Sequence, residues 1–273
     1  MFDTIAVEYD RVRPTYPDAL IDRACDDGGL SAGDRVLEIG CGTGQLTRGL
    51  VARGLRVTAV EPGRNLIALA SRALATVEFV NRKFEDARLS RLFPAAFSAA
   101  AFHWPDPDVS WGKAARSLTP GGRLALIQYC AFQDESTAED ADAVMAALAG
   151  AAPEIAAAWP VPRDLETVMN GAEDRRDNVS GVWAWLSGQD VARGYAAPLF
   201  DDVEVAAQPA FVEHTPEELN ALSATSSVYH RLSPSQRTAL ERANVAIGER
   251  LGRPIRSSML AVLVTARSVG AAP

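Results

Sequence analysis

Apolar positions along this chain follow two rhythms, and the alternation between them predicts its layout. Arg35-Val36-Leu37-Glu38-Ile39 is a compact apolar run that predicts a strand, followed by a glycine-rich turn. Gln45 to Arg53 carries helical spacing and is closed by Gly54. Arg56 to Val60 is a second strand, rich in β-branched residues. Asn65 can cap the next helix, whose residues Leu66, Ile67, Leu69, Ala70, Ala73 and Leu74 form one wide apolar face. Val77 to Val80 predicts a third strand, and Phe97 to Phe102 a fourth. Val109 to Leu118 predicts a helix ended by Thr119-Pro120-Gly121-Gly122, and Arg123 to Cys130 a fifth strand. Ahead of these, Asp18 can cap a short helix from Ala19 to Cys25, stopped by Asp26-Asp27-Gly28-Gly29.

Strands that alternate with helices and are apolar on both sides predict a doubly wound, mostly parallel α/β sheet with helices on both faces. Such sheets bind ligands beyond the carboxyl ends of their strands. Functional residues are therefore expected just after Ile39, Val60, Val80, Phe102 and Tyr129. After Cys130 the rhythm changes. Residues 131–200 hold helical patterns without a clear strand, and so long a structureless loop is improbable. The stretch is read as a helical lid over a substrate. Strand patterns return at Val203-Glu204-Val205, Phe211-Val212-Glu213 and Met259 to Thr265. Helices are expected from Pro216 to about Ser226 and from Pro234 to Arg250. The expected division is a ligand-binding part at 1–130, the lid at 131–200, and a completing part at 201–273.

Composition narrows the partners. The 273 residues carry a net charge of −8, which repels phosphate backbones, so nucleic acid is not an expected partner. The run Arg175-Arg176 is flanked by Glu173, Asp174 and Asp177 and reads as a solvated loop. Three widely spaced cysteines, Cys25, Cys41 and Cys130, fit a reducing cytoplasm better than a disulfide framework, and no metal site is expected. The first residues, MFDTIAVEYDRVRP, carry charge where a signal peptide needs an apolar core. No apolar stretch approaches the ~20 residues that span a bilayer. The Ala-rich run from Ala143 to Ala158 is interrupted by Pro153 and Glu154.

The chemistry concentrates in Val36-Leu37-Glu38-Ile39-Gly40-Cys41-Gly42-Thr43-Gly44-Gln45. A glycine turn between strand and helix lets backbone approach a ligand closely. Dinucleotide loops favour GxGxxG with pyrophosphate at the helix N-terminus. Here the spacing is GxGxG, Gln45 stands where that third glycine would fall, and Glu38 precedes the loop. A carboxylate suits a ligand with a cationic amino group better than a pyrophosphate. Glu61, ending the second strand, can accept both ribose hydroxyls of an adenosine. Together these features point to S-adenosylmethionine.

Glu38-Ile39-Gly40-Cys41-Gly42-Thr43-Gly44 resembles the first motif of class I methyltransferases. Tyr9 with Arg13-Pro14-Thr15-Tyr16-Pro17, and Ala101-Phe102-His103-Trp104, resemble a small-molecule subgroup that includes trans-aconitate-type methyltransferases. Leu118 to Arg123 resembles the usual turn before the fifth strand. The likeness covers residues 9–130 and is looser around Thr215 to Leu219 and Thr225 to Ser227. It implies a Rossmann-like seven-stranded methyltransferase fold. It also implies roles: Gly40, Cys41, Gly42 and Gly44 along the cofactor, Glu38 at its methionyl end, and Glu61 with Pro62 at the ribose. Phe84, Glu85 and Ala101 would border the adenine side, and Tyr9, Arg13 and Tyr16 would close over the cofactor. Lys83 stands where many relatives have an acid, and Phe97-Ser98 where many have Phe-Asp.

The expected reaction is methyl transfer to oxygen, carboxylate or hydroxyl, of a small molecule, releasing S-adenosylhomocysteine. Alignment carries much of such a rate, and a base is needed only for a hydroxyl. His103 is the candidate base; it can equally be a wall with Trp104. His214 and His230 read as ordinary residues. Tyr16, His103, Trp104, Tyr129 and Trp183 are candidate substrate contacts, with Trp159 and Trp185 as further aromatics, although helical aromatics are more often core. Arg13 or Arg163 would matter for an acidic acceptor. A monomer or homodimer is expected. The competing readings are an NAD-type oxidoreductase and a non-catalytic S-adenosylmethionine-binding protein.

Overall fold

The computed structural model describes residues 2–159, 161–188 and 196–270. The expected lid at 131–200 therefore includes residues 160 and 189–195, which lie outside the described residues, as do positions 1 and 271–273 of the flanking parts.

A 3-10 turn at Phe2–Ile5 leads into α1 (Ala6–Val12) and α2 (Asp18–Asp27). Strands and helices then alternate: β1 (Arg35–Ile39), α3 (Gln45–Ala52), β2 (Arg56–Val60), α4 (Arg64–Ala73), β3 (Glu78–Val80), β4 (Phe93–Ala99), α5 (Pro107–Ser117) and β5 (Leu118–Ala131). Four helices follow, α6 (Ala138–Ala151), α7 (Pro153–Ala156), α8 (Leu165–Glu173) and α9 (Val179–Ser187). The chain closes with β6 (Phe200–His214), α10 (Pro216–Ala224), α11 (Pro234–Leu251) and β7 (Ile255–Ser268). The sheet has seven strands in the order β3-β2-β1-β4-β5-β7-β6. The first five pair in parallel, and β7 runs antiparallel between β5 and β6.

Strand alternation divides the core into two layers. Leu37, Ile39, Leu124, Leu126, Val262 and Val264 face one side, with Trp111 of α5 and Trp183 of α9. Val36, Ala59, Ala125, Ile127 and Leu263 face the other, with Leu20 of α2, Leu46 of α3 and Ala70 of α4. A third, smaller cluster lies off the sheet, where Leu148 of α6 and Ile155 of α7 meet Leu240 of α11 and Leu232, which precedes that helix.

The structure corrects several local expectations. β4 begins at Phe93, four residues before the expected Phe97, because a register shift between Phe93 and Ala95 accommodates Pro94 inside the strand. The patterns at 203–205 and 211–213 belong to one strand, whose Pro209 is tolerated because β6 is the sheet edge. Asp18 opens α2 without a side-chain cap. Asn65 does not cap α4 either. Asp3 does so from a distance, its Oδ1 accepting from Asn65 N at 2.6 Å and Leu66 N at 3.2 Å. The N-terminal turn is thereby pinned to the mouth of the sheet. No helix among the described residues is long and apolar enough to cross a membrane.

Candidate functional site

A cavity of about 980 Å³ opens at the carboxyl ends of β1, β2, β4 and β5. Its wall includes Gly40 and Gly42 after β1, Glu61 and Pro62 after β2, and Phe84 and Glu85 after β3. Ala101, His103 and Trp104 follow β4, Tyr129 lies in β5, and Tyr9 and Arg13 come from the N-terminal segment. Twelve of the residues anticipated from the sequence thus meet at one opening.

The glycines of the loop serve different ends. Gly42 is left-handed (φ +56°), and a Cβ there would meet only the edges of Gln45 and Tyr9, at 3.8 and 3.9 Å. Its backbone is open to the cavity. Gly44 caps α3 at φ +96°, and a Cβ would stand 2.6 Å from Leu74. Gly44 is thus a packing residue that seats α3 on the end of α4, and it does not line the cavity. Gly40 lets Ala101 approach, since a Cβ would sit 2.4 Å from the Ala101 methyl group. Gln45 turns back on the loop and donates to Thr43 Oγ1 at 2.7 Å.

Glu61 joins the turns that follow β1 and β2. Its Oε2 accepts from Gly42 N at 3.0 Å and its Oε1 from Gly63 N at 2.8 Å. Burial raises its carboxyl pKa, and the two backbone donors oppose that rise. Each oxygen retains a lone pair for a further donor. Asn81 steadies the same turn, donating to the carbonyls of Glu61 and Pro62 at 3.0 and 2.9 Å.

Glu38 lies under the loop, 1% exposed, and is not on the cavity wall. Among the described residues its Oε2 has no hydrogen-bond partner. Burial, aided by the neighbouring Glu61 charge, pushes its carboxyl up to about 7. A cation brought to the loop would favour its ionised form.

Four other anticipated residues also stand off the wall. Cys41 is buried in the core layer behind the loop. Gly44 packs as described. Tyr16 stacks on Tyr129 (centroids 5.6 Å, 16°) and buttresses it from behind. Trp183 is 1% exposed, inside the core beneath α9, so its expected substrate contact is corrected to a packing role. Aromatics in amphipathic helices face the core by default, and Trp183 follows that rule.

His103 is half-buried, with Nδ1 unpartnered and its pKa lowered by burial. Among the described residues no carboxylate is hydrogen-bonded to it. Its imidazole is held neutral at physiological pH and can accept a proton from a bound group. Trp104 beside it is 58% exposed and meets Phe2 edge-on at 5.7 Å, and Phe2 meets Tyr9 at 5.6 Å. Arg13 lies over the Tyr9 ring and donates to Thr225 Oγ1 and Thr225 O at 3.0 and 2.6 Å. These contacts tie the N-terminal segment to the chain after α10.

Sequence reasoning missed Phe2, Leu66, Arg231 and the Ser226-Ser227-Val228 turn on the wall. It also missed Lys113, which anchors the 84–87 turn by donating to Glu85 O at 2.8 Å and Ala87 O at 2.6 Å. Only tertiary placement reveals these, since none stands in a local motif. Of Trp159, Trp183 and Trp185, Trp159 alone reaches the wall.

Residues 36–122 match the family model for a methyltransferase domain. An uncharacterized methyltransferase of Mycobacterium tuberculosis is 39% identical over 127 residues, covering 46% of this chain and 51% of that protein. The ubiquinone biosynthesis O-methyltransferase of Dechloromonas aromatica is 33% identical over 102 residues, covering 35% of this chain and 44% of that protein. The chain thus spans about half the length of the curated relatives it matches. A structure from Anaeromyxobacter dehalogenans, provisionally described as a type II methyltransferase, superposes with a TM-score of 0.62. It is 22% identical and the match covers 93% of this chain and 97% of that one, so the likeness of fold extends beyond residues 36–122.

Proposed function

We propose that this chain is an S-adenosylmethionine-dependent methyltransferase acting on an oxygen of a small organic molecule. The observation that carries the reading is Glu61, on the cavity wall and hydrogen-bonded to both Gly42 and Gly63. That carboxylate stands where two ribose hydroxyls can donate to it, beside a loop whose Gly42 leaves the backbone open. The unpartnered, buried Glu38 oxygen fits a cationic amino group and opposes a pyrophosphate.

The bound cofactor supplies a methyl group already activated by a sulfonium charge. The chain's residues supply position. Gly40 and Gly42 receive the cofactor backbone-first, Phe84 and Glu85 border its base, and Tyr9 and Arg13 cover it. Ala101 and Pro62 complete its walls. His103, kept neutral by burial, takes the proton of a hydroxyl acceptor; a carboxylate acceptor needs no base. Trp104, Tyr129 and Trp159 shape the acceptor side.

The choice of oxygen draws on the ubiquinone biosynthesis O-methyltransferase among the relatives. The finer likeness to trans-aconitate-type enzymes rests on Tyr9, Arg13 to Pro17 and Ala101 to Trp104 alone. Residues 131–200 are read as the acceptor lid, and the net charge of −8 makes nucleic acid a poor acceptor. Three free cysteines suit the cytoplasm. A monomer or homodimer serves equally, because one chain encloses the cavity.

Calorimetric titration with S-adenosylhomocysteine and with NAD tests the cofactor, and labelled-methyl transfer to a panel of phenols and carboxylic acids tests turnover. Binding of S-adenosylhomocysteine alone, with transfer to at least one acceptor, is expected. NAD binding in its place would restore the oxidoreductase reading. Cofactor binding without any transfer would leave a binding protein on this scaffold.

A further inference from the structure

The cavity wall carries both signs of charge, with Lys83 beside Glu85 after β3 and Arg13, Arg163 and Arg231 elsewhere on it. Its acids, Glu61 and Glu85, belong to the turns after β2 and β3. The strand order puts the end of β5 two strands from β1, roughly 10 Å away. The wall there holds Arg163. Arg163 is docked to the residue after β5 by a bridge with Phe132, and its carbonyl accepts from Gln133 N at 3.0 Å.

The Arg163 side chain sits on a built platform. Its guanidinium lies 4.0 Å above the Trp185 ring and donates to Trp185 O at 3.0 Å. The indole is fixed in turn, donating from Nε1 to Val168 O at 3.0 Å. Gly171 is what lets the ring lie there, since a Cβ at that position would stand 2.3 Å from the indole carbons. Arg175, also over the ring at 4.7 Å, adds a like charge. Among the described residues Arg163 forms no ion pair, and burial works against its charge. A partly buried guanidinium held on this platform, without an ion pair among the described residues, is costly unless an anion arrives.

We propose that Arg163 is the anion receptor of the acceptor half of the cavity, and that the methyl acceptor is a small organic carboxylate whose acid group seats on this guanidinium. The inference rests on the methyltransferase reading for the word acceptor, but not for the binding itself. The planar fork of arginine matches a carboxylate in two parallel hydrogen bonds. Trp185 and Gly171 are positioning residues: they hold the fork and do not touch the ligand.

The test uses matched acid and amide pairs: 4-hydroxybenzoate with 4-hydroxybenzamide, trans-cinnamate with cinnamamide, and phenylacetate with phenylacetamide. Each is titrated by calorimetry into the wild-type chain, Arg163→Gln and Arg163→Lys, with and without saturating S-adenosylhomocysteine. Wild type is expected to bind at least one acid about tenfold or more tighter than its amide, as for hydrogen bonds to a charged group. Arg163→Gln should erase that preference and leave S-adenosylhomocysteine affinity within about twofold, since the cofactor contacts are elsewhere. Arg163→Lys should keep part of it, because the charge remains and the fork is lost. The lysine variant carries the comparison if the glutamine variant fails to fold. A preference that survives both substitutions overturns the proposal, and so does the absence of any acid preference at millimolar concentration. Failure of S-adenosylhomocysteine to bind would sink the methyltransferase reading, while acid-over-amide preference in the unloaded chain would still score Arg163.

Discussion

The two halves of the cavity are built in different ways. Over β1 to β3 the wall comes from turns that directly follow strands, held by backbone geometry: Gly42, Gly63 and the Glu61 carboxylate between them. Over β4 and β5 residues next to the strands, such as His103 and Tyr129, are joined by side chains delivered from distant segments, such as Trp159, Arg163 and Arg231. The first half presents mainly backbone and tolerates little change. The second presents side chains from the segments between helices, some packed on a small core of their own, and can vary without disturbing the sheet. A cofactor common to many enzymes suits the first design, and an acceptor particular to one suits the second.

The largest expected effect lies at the boundary. With a phenolic acceptor, His103→Asn should lower kcat/KM by about 10²-fold or more if His103 is the base. Burial depresses its pKa, so the neutral form persists below the ordinary histidine range, and wild-type activity should fall only as pH drops through that lowered pKa. The variant should lose that acidic limb. An unaltered rate and profile would make His103 a wall residue.

Gly44→Ala probes the rigid half. It forces a side chain into left-handed backbone and against Leu74, so thermal or denaturant unfolding should register a loss of about 2–4 kcal/mol. A loss under ~1 kcal/mol would mean the loop is more adaptable than the comparison holds. Asp3→Ala removes the remote cap of α4 and should destabilise by about 1 kcal/mol. Unchanged stability would show that the N-terminal turn is merely resting on the sheet. The smallest effect belongs to the acceptor half. Gly150, inside α6 with open space around it, should accept Ala with a gain of about 0.5 kcal/mol. A loss there would reveal packing constraints on α6 that the structure does not contain.

The same division explains what could be read from the sequence. Gly40, Gly42 and Glu61 were legible because their chemistry is tied to local order: a strand, a turn, then a helix or a strand end. The parallel layering followed from apolar runs that alternate with helical spacing. The acceptor side was not legible in this way. Trp159 and Trp183 are the same residue type, yet one, just past α7, reaches the cavity and the other, inside α9, fills the core. Asp3 caps a helix more than sixty positions away, and nothing local marks it. Glu38 was found by its motif, but its burial under the loop, with one oxygen unpartnered, is a fact of packing alone.

The central claim is that the carboxylate of Glu61 holds an adenosine ribose at this opening. Calorimetric titration of S-adenosylhomocysteine into wild type and Glu61→Ala tests it most directly, with unfolding curves confirming that both are folded. The account predicts binding by wild type and a weakening of about 1.5–3 kcal/mol in the variant, as for hydrogen bonds to a charged group. Equal affinity in the two folded proteins would contradict it.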